Sequence, residues 1–301
     1  MDRLKGNVAF ITGGARGQGR AMALKFASEG ADVVICDICS DAETVPYPLS
    51  TSADLAETRS RVEALGRRCV AEVADVRSQE QLDRVVERGI DELGHIDIVC
   101  ASAGVHSFLP FWEMPEEMWQ EVIDTNLTGV WHTVKAVAPH MIERGEGAAI
   151  LTSSVMGKET GPDLAHYAAA KHGVIGLMRS FAFELGPHNI RVNAILPSVV
   201  HDKMGDNPAT REWVFGRSDA TTEDYVAATR NWHVLRGRAA LPAAAIADAA
   251  LFFASAESQH ITGTELVVDA GHSILPGFNH TPIHDERIAV GPYPNDGVTV
   301  G

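Results

Sequence analysis

Short apolar runs alternate along the chain with longer stretches in which apolar residues recur at helical spacing. Asn7–Thr12 (NVAFIT), Asp32–Cys36 (DVVIC), Arg68–Val73, Ile96–Ala101 (IDIVCA), Ala148–Thr152 (AAILT), Arg191–Leu196 and Glu265–Val268 read as strands. Between them, Gly17–Gly30, Asp54–Leu65, Gln79–Leu93, Glu116–Glu143, Ala165–Leu185 and the Ala-rich Ala243–Ala254 read as helices. Strands alternating with helices predict βαβ units and a parallel sheet. The expected architecture is therefore α/β. It is a single doubly wound, Rossmann-type domain over residues 1–275, with a parallel seven-stranded sheet flanked by helices.

Three segments break the rhythm. Ile38–Ser52 is rich in Pro, Ser, Thr and Asp and separates a strand from its helix. Val199–Leu241 is long, mixed in character and carries aromatics, and is read as a substrate lid. Residues 276–301 form a tail rich in Gly, Pro, His and Asp without apolar period. Unstructured loops of such length are uncommon in compact domains and are often functional.

Of 301 residues, 45% are hydrophobic and 22% charged, ample for a core. The formal charge of −15 argues against nucleic acid or an anionic membrane surface as partner. No apolar run reaches the roughly 18 residues of a membrane span. The first residues lead into a strand without a secretory apolar region, so the expected location is the cytoplasm. The four cysteines, Cys36, Cys39, Cys69 and Cys100, are too few for a disulfide scaffold, and the CxxC of Cys36 and Cys39 reads as ordinary strand-end cysteines. His280 and His284 have metal-like spacing but no predicted helix to present them, so no metal site is expected.

The first strand ends in Thr12-Gly13-Gly14-Ala15-Arg16-Gly17-Gln18-Gly19, and a helix follows. Glycines in a strand-to-helix turn let backbone approach a pyrophosphate, and the helix start supplies N–H donors with the positive end of its dipole. Gly13, Arg16, Gly17, Gln18 and Gly19 are thus candidates for dinucleotide binding. Asp37 closes the second strand where an acidic side chain can hold the adenosine ribose and repel a 2′-phosphate, favouring NAD over NADP. Ile38 adjoins it. Arg16 is a counter-signal, since it can pair with a phosphate. Asp75 and Val76 follow the third strand, near the expected adenine. Ala103 and Gly104, in Ala101-Ser102-Ala103-Gly104, bring small residues under the cofactor.

Tyr167 and Lys171 stand at i and i+4 on a predicted helix, hence side by side. A free phenol has a pKa of about 10, and a nearby ammonium favours the phenolate. Ser154 lies just past a strand end, which in an open parallel sheet faces the ligand crevice. The three can converge beside a nicotinamide.

With these residues, the TGGARGQG turn, Asp37, Asp75, the ASAG segment, Asn126-Leu127-Thr128-Gly129, Ser153-Ser154, Tyr167-xxx-Lys171 and Asn193-xxx-Pro197, the chain resembles the short-chain dehydrogenase/reductase family over residues 4–275. The resemblance implies Tyr167 as general acid/base, Lys171 as holder of the nicotinamide ribose, and Ser154 as orienter of the substrate oxygen. It further implies Asn126 as anchor of a relay water, Pro197 and Val200 beside the cofactor, and a homotetramer built through the helices starting near Glu116 and Leu164. Asp37–Glu57, Asn126–His132 and His166–Arg179 are similar to the mycofactocin-coupled, carveol-dehydrogenase-like subgroup. There the 38–52 insertion folds over a non-exchanging NAD whose electrons leave to an external redox cofactor. The alternative for this segment is a tolerated surface loop.

Departures from the family pattern are Pro197-Ser198 for the usual Pro-Gly, Ala101-Ser102 for Asn-Asn, and Asp202 where a Thr commonly contacts the carboxamide. Aromatic residues around the expected crevice mouth suit an apolar, ring-containing substrate. His106, Phe108, Met156, Trp213 and Phe215 are the substrate candidates, with Phe111, Trp112, Val214 and Trp232 nearby. The function expected is NAD-dependent interconversion of a hydrophobic secondary alcohol, cyclic or terpenoid-like, and its ketone. An epimerase or lyase on the same fold and a non-catalytic dinucleotide-binding protein are the rivals.

Overall fold

Strand residues of alternating parity bury on opposite faces of one sheet. In the computed structural model, which describes residues 2–275, Val8 and Phe10 join one core while Ala9 and Ile11 join the other. Val34 and Cys36 oppose Val33 and Ile35 in the same way. The strands are β1 (Val8–Thr12), β2 (Asp32–Asp37), β3 (Cys69–Val73), β4 (Ile98–Ala101), β5 (Gly147–Thr152), β6 (Ile190–Pro197) and β7 (Glu265–Val268). All pair in parallel, in the order β3-β2-β1-β4-β5-β6-β7. The expected doubly wound sheet is the observed one.

Helices α1 (Gly17–Ser28), α2 (Ser52–Ala64) and α9 (Ala243–Ala254) cover one face through Met22, Phe26, Leu55, Val62, Ile246 and Phe253. On the other face, α3 (Gln79–Leu93), α5 (Gly129–Arg144) and α6 (Ala165–Leu185) pack through Leu82, Val134, Met141, Val174 and Met178. The strand order reverses between β1 and β4. That switch opens a crevice at the strand C-termini, between the turn after β1 and the loop after β4.

Two expectations need refinement. The helix expected over 116–143 is present but not uniform: α4 (Glu116–Ile123) passes through a π-helical turn at Asp124–Thr128 into α5. The Asn126 side chain folds back onto Val105, and the widened turn accommodates it. The 199–241 segment is not irregular throughout, for it contains α7 (Pro208–Phe215) and α8 (Thr222–Arg230). Asn207 caps the first, with Pro208 at its opening position, and Thr221 with Asp224 forms a capping box on the second.

The four cysteines are free, and burial pushes the Cys39 thiol up to about 11 and the Cys69 thiol up to about 12. They are packing residues with little thiolate. Among the described residues no helix is long and apolar enough to cross a membrane, and no cluster of ligating side chains could hold a metal. His280 and His284 lie outside the described residues.

Phe26 is fully buried between α1 and the sheet. Phe26→Ala is expected to lower stability by about 3–5 kcal/mol, the usual cost of deleting a buried ring. A denaturant midpoint that falls with an unchanged m-value is the readout.

Candidate active site

Helix α1 begins without a side-chain cap and without an acidic residue in its first turn, so its leading N–H groups remain free to face an anion. Gly13 and Gly17 adopt positive φ of 68° and 54°. A Cβ on Gly19 would sit 2.1 Å from the Gly13 carbonyl oxygen, and one on Gly13 would sit 2.9 Å from the Ala103 Cα. The glycines are therefore demanded by close backbone approach.

This turn borders a cavity of about 530 Å³. Gly13, Arg16, Gly17, Gln18, Gly19, Asp37, Ile38, Asp75, Val76, Ala103 and Gly104, all read from the sequence as cofactor residues, line it. Asp37 accepts hydrogen bonds from the Ala15 and Ile38 N–H groups at 3.0 and 2.9 Å and from the Ser50 hydroxyl. Asp75 pairs with Arg77, which also reaches Glu121. Three buried polar atoms around this space have no hydrogen-bond partner among the described residues: Arg16 Nη1, Gln18 Oε1 and Ser102 Oγ. A cationic donor, an amide oxygen and a hydroxyl left unpaired beside a glycine-rich turn fit a dinucleotide that would satisfy them.

Residues 38–52 do not drape over the surface. Val45 and Tyr47 are buried against Val105 and Val122. Thr44 donates to the Glu121 carboxylate from its backbone N–H and its hydroxyl, at 3.1 and 2.6 Å. The Tyr47 hydroxyl accepts from the His106 N–H at 3.1 Å, and the two rings lie 5.1 Å apart. Tyr47 was not singled out in the sequence, where only an aromatic between two prolines in a polar stretch marks it.

A second cavity of about 710 Å³ adjoins the first; Gln18, Ser102, Gly104, Asp202 and Met204 line both. Ser154, Tyr167, Lys171, Pro197, Val200, His106, Phe108, Met156 and Trp213 line this second space. Trp213 of α7 stacks on Phe108 at 4.5 Å and donates its indole N–H to Asp163 at 3.1 Å. At one end His272 pairs with Glu159 at 2.6 Å, a contact not anticipated from the sequence. Phe215 corrects the reading: it is not among the lining residues, because α7 turns it toward the Arg217 guanidinium, 5.8 Å from its ring. Phe111 and Trp112 are mostly exposed and line neither cavity.

Tyr167, Ser154 and Lys171 come together on the wall of the second cavity, with Lys171 beside Gly104, which lines both. The Lys171 Nζ is buried, donates to the Thr152 carbonyl at 2.9 Å, and lies 5.5 Å from the centre of the Tyr167 ring. Burial lowers Lys171 to about 8. Burial raises Tyr167 to about 12, opposed by a hydrogen bond from Ser154 and reinforced by the charge of Asp202. Asn126 is fully buried and borders neither cavity directly. Its Oδ1 accepts the Val105 N–H at 2.8 Å, its Nδ2 donates to the Val105 carbonyl at 2.7 Å, and Gly104 leaves its amide and Lys171 close together. The arrangement can move a proton from a substrate hydroxyl to the phenolate of Tyr167, a form that a neighbouring ammonium favours.

His166 opens α6 fully buried; its Nδ1 accepts the Tyr167 N–H and its Nε2 faces the Ser107 hydroxyl at 2.9 Å each. Burial lowers both His166 and His106 to about 4. As pH falls from 6.5 the unfolded chain takes up these protons before the native one does, so stability present above 6.5 is lost toward 4. Denaturant midpoints measured across that window are expected to fall, and His166→Gln to flatten the fall.

Residues 7–213 match the short chain dehydrogenase family. The chain is 43% identical to (−)-trans-carveol dehydrogenase of Rhodococcus erythropolis, over 91% of this chain and 100% of that one. A crystal structure of carveol dehydrogenase from Mycobacterium avium in complex with NAD superposes with a TM-score of 0.89 at 46% identity, covering 91% of this chain and 100% of the other. A short chain dehydrogenase from Mycobacterium paratuberculosis bound to NAD gives 0.83 at 40% identity with the same coverage. The glycine turn, the switch-point crevice and the Ser154–Tyr167–Lys171 cluster thus sit on a scaffold shared over 91% of the chain, and the chain belongs to the short-chain dehydrogenase family.

Proposed function

We propose that this protein is an NAD-dependent alcohol dehydrogenase that interconverts a hydrophobic secondary alcohol, cyclic or terpenoid-like, and its ketone. The observation that carries the reading is the meeting of Tyr167, Ser154 and Lys171 on the wall of an apolar cavity that adjoins the cavity at the glycine turn. NAD, when bound, supplies the two-electron acceptor for the hydride that leaves the carbinol carbon. Gly13, Gly17, Gly19 and the α1 start would hold its pyrophosphate, with Arg16 beside them. Asp37 would hold the adenosine ribose, Asp75 and Val76 the adenine edge, and Ala103, Gly104, Pro197 and Val200 the path to the nicotinamide.

Ser154 donates a hydrogen bond to the substrate oxygen and orients it. Tyr167 takes the hydroxyl proton in oxidation and returns it in reduction. Lys171 stabilises the phenolate and reaches the nicotinamide ribose. Because both polar atoms of the Asn126 side chain are engaged with Val105, its part in a proton relay runs through its backbone. Met156, Phe108 and Trp213 form an apolar wall for the substrate, and His106 sits between that wall and Tyr47.

The docking of residues 38–52 through Thr44, Val45, Tyr47 and Ser50 supports a cofactor held under a strap, with electrons leaving to an external carrier of the mycofactocin type. Free thiols fit a cytoplasmic setting. Trp119 on α4, Trp131 on α5 and Phe183 on α6 are partly to largely exposed, which supports a homotetramer through these helices.

Tyr167→Phe is expected to lower turnover of a cyclic secondary alcohol by about 10²–10⁴-fold, the weight of one acid/base group, while cofactor occupancy stays unchanged. Full activity in that variant would end the reading. Purified protein is expected to retain NAD through dialysis and to oxidise alcohols with an artificial acceptor and no added NAD. Tyr47→Ala should speed NAD exchange; an empty wild type that turns over freely with added NAD would remove the strap from the account.

A further inference from the structure

The turn after β6 carries a buried-facing charge that the proton-transfer set does not need. Asp202 accepts the N–H groups of Met204 and Gly205 at 3.0 and 2.8 Å, both on Oδ1. Its other oxygen, Oδ2, faces the opening turn of α1 and would lie 3.1 Å from a Cβ on Gly17. Asp202 lines both cavities. Burial raises Asp202 above the usual carboxylate range, opposed by the Gly205 and Met204 N–H groups and by the Arg16 charge, and its own charge acts on Tyr167 and Tyr47. A carboxylate therefore stands between the pyrophosphate turn and the phenol, in the stretch through which the nicotinamide end of a dinucleotide must pass.

The nicotinamide ring is cationic when oxidised and neutral when reduced. A carboxylate beside it attracts the first state and gains nothing from the second. The neutral Thr of the family pattern exerts no such preference. We propose that Asp202 sets the redox bias of the bound cofactor: its carboxylate pairs with the oxidised nicotinamide and holds NAD⁺ more tightly than NADH. The bound couple then has a lower potential, so the reduced cofactor gives up its electrons more readily, as suits an enzyme that passes them to an external carrier. Arg16, whose Nη1 is unpartnered, offsets the repulsion between this carboxylate and the pyrophosphate. The inference rests on the dinucleotide reading above but not on the identity of the alcohol.

The test compares wild type with Asp202→Asn and Asp202→Thr. Asn keeps an oxygen for the Met204 and Gly205 N–H groups, so the turn is preserved while the charge is removed. Dissociation constants for NAD⁺ and NADH are measured by calorimetry and fluorescence. The ratio of the NADH constant to the NAD⁺ constant is expected to fall about tenfold in both variants, equivalent to a rise of ~30 mV in the two-electron potential of the bound couple. Where the cofactor does not exchange, a reductive titration of the holoprotein reads that potential directly. An unchanged ratio and potential, including equal weakening of both affinities, would assign Asp202 a structural role only and overturn the proposal. A wild type that binds neither form would overturn the dinucleotide reading itself.

Discussion

Burial drives the phenol of Tyr167 and the ammonium of Lys171 in opposite directions, and the site depends on that tension. Each is hard to ionise alone in this pocket: the phenol is raised to about 12 and the ammonium lowered to about 8. A neighbouring opposite charge relieves both. Their i, i+4 spacing on α6 keeps them adjacent, and the Thr152 carbonyl at the end of β5 fixes the ammonium. Ser154 follows on the same strand end and adds a hydrogen bond that favours the phenolate. The sheet register thus delivers the hydroxyl and the carbonyl, and the helix delivers the phenol and the amine.

The switch between β1 and β4 places these groups against the glycine turn. Thr12, the last residue of β1, ties the two edges together, since its hydroxyl accepts the Ser102 and Ala103 N–H groups at 3.2 and 3.4 Å. The π-turn holding Asn126 does the same on the far side, because its amide clamps both polar backbone groups of Val105. The 38–52 segment packs on this frame, and its Tyr47 hydroxyl meets the His106 N–H, so that segment and the wall of the second cavity share one contact.

Much of this was legible in the residues. Strands whose apolar residues fall on both faces specify a sheet covered on both sides, and seven of them alternating with helices specify the winding. The glycine turn, Asp37 and the Tyr167/Lys171 pair are local patterns, readable because the chemistry lies within one or two consecutive elements. What escaped the reading depends on tertiary contacts. The π-turn at 124–128 goes with the Asn126 amide meeting Val105, 21 residues earlier. Tyr47 gains its contacts only when the insertion crosses to the loop after β4. Phe215 shares a helix with Trp213 but faces away from the cavity. Helices α7 and α8 carried local signals, Asn207-Pro208 and the Thr221/Asp224 box, that an overall impression of a mixed segment obscured.

The central claim is that the junction of the two cavities passes a hydride from a carbinol carbon to the nicotinamide while Tyr167 takes the proton. Incubating the holoprotein with a cyclic secondary alcohol deuterated at the carbinol carbon, and analysing the cofactor by mass spectrometry and NMR, tests it most directly. The account predicts deuterium at C4 of the nicotinamide, on one face only. Deuterium washed into water, or product formed with the cofactor's oxidation state and isotope content unchanged at every stage of a single turnover, would contradict it.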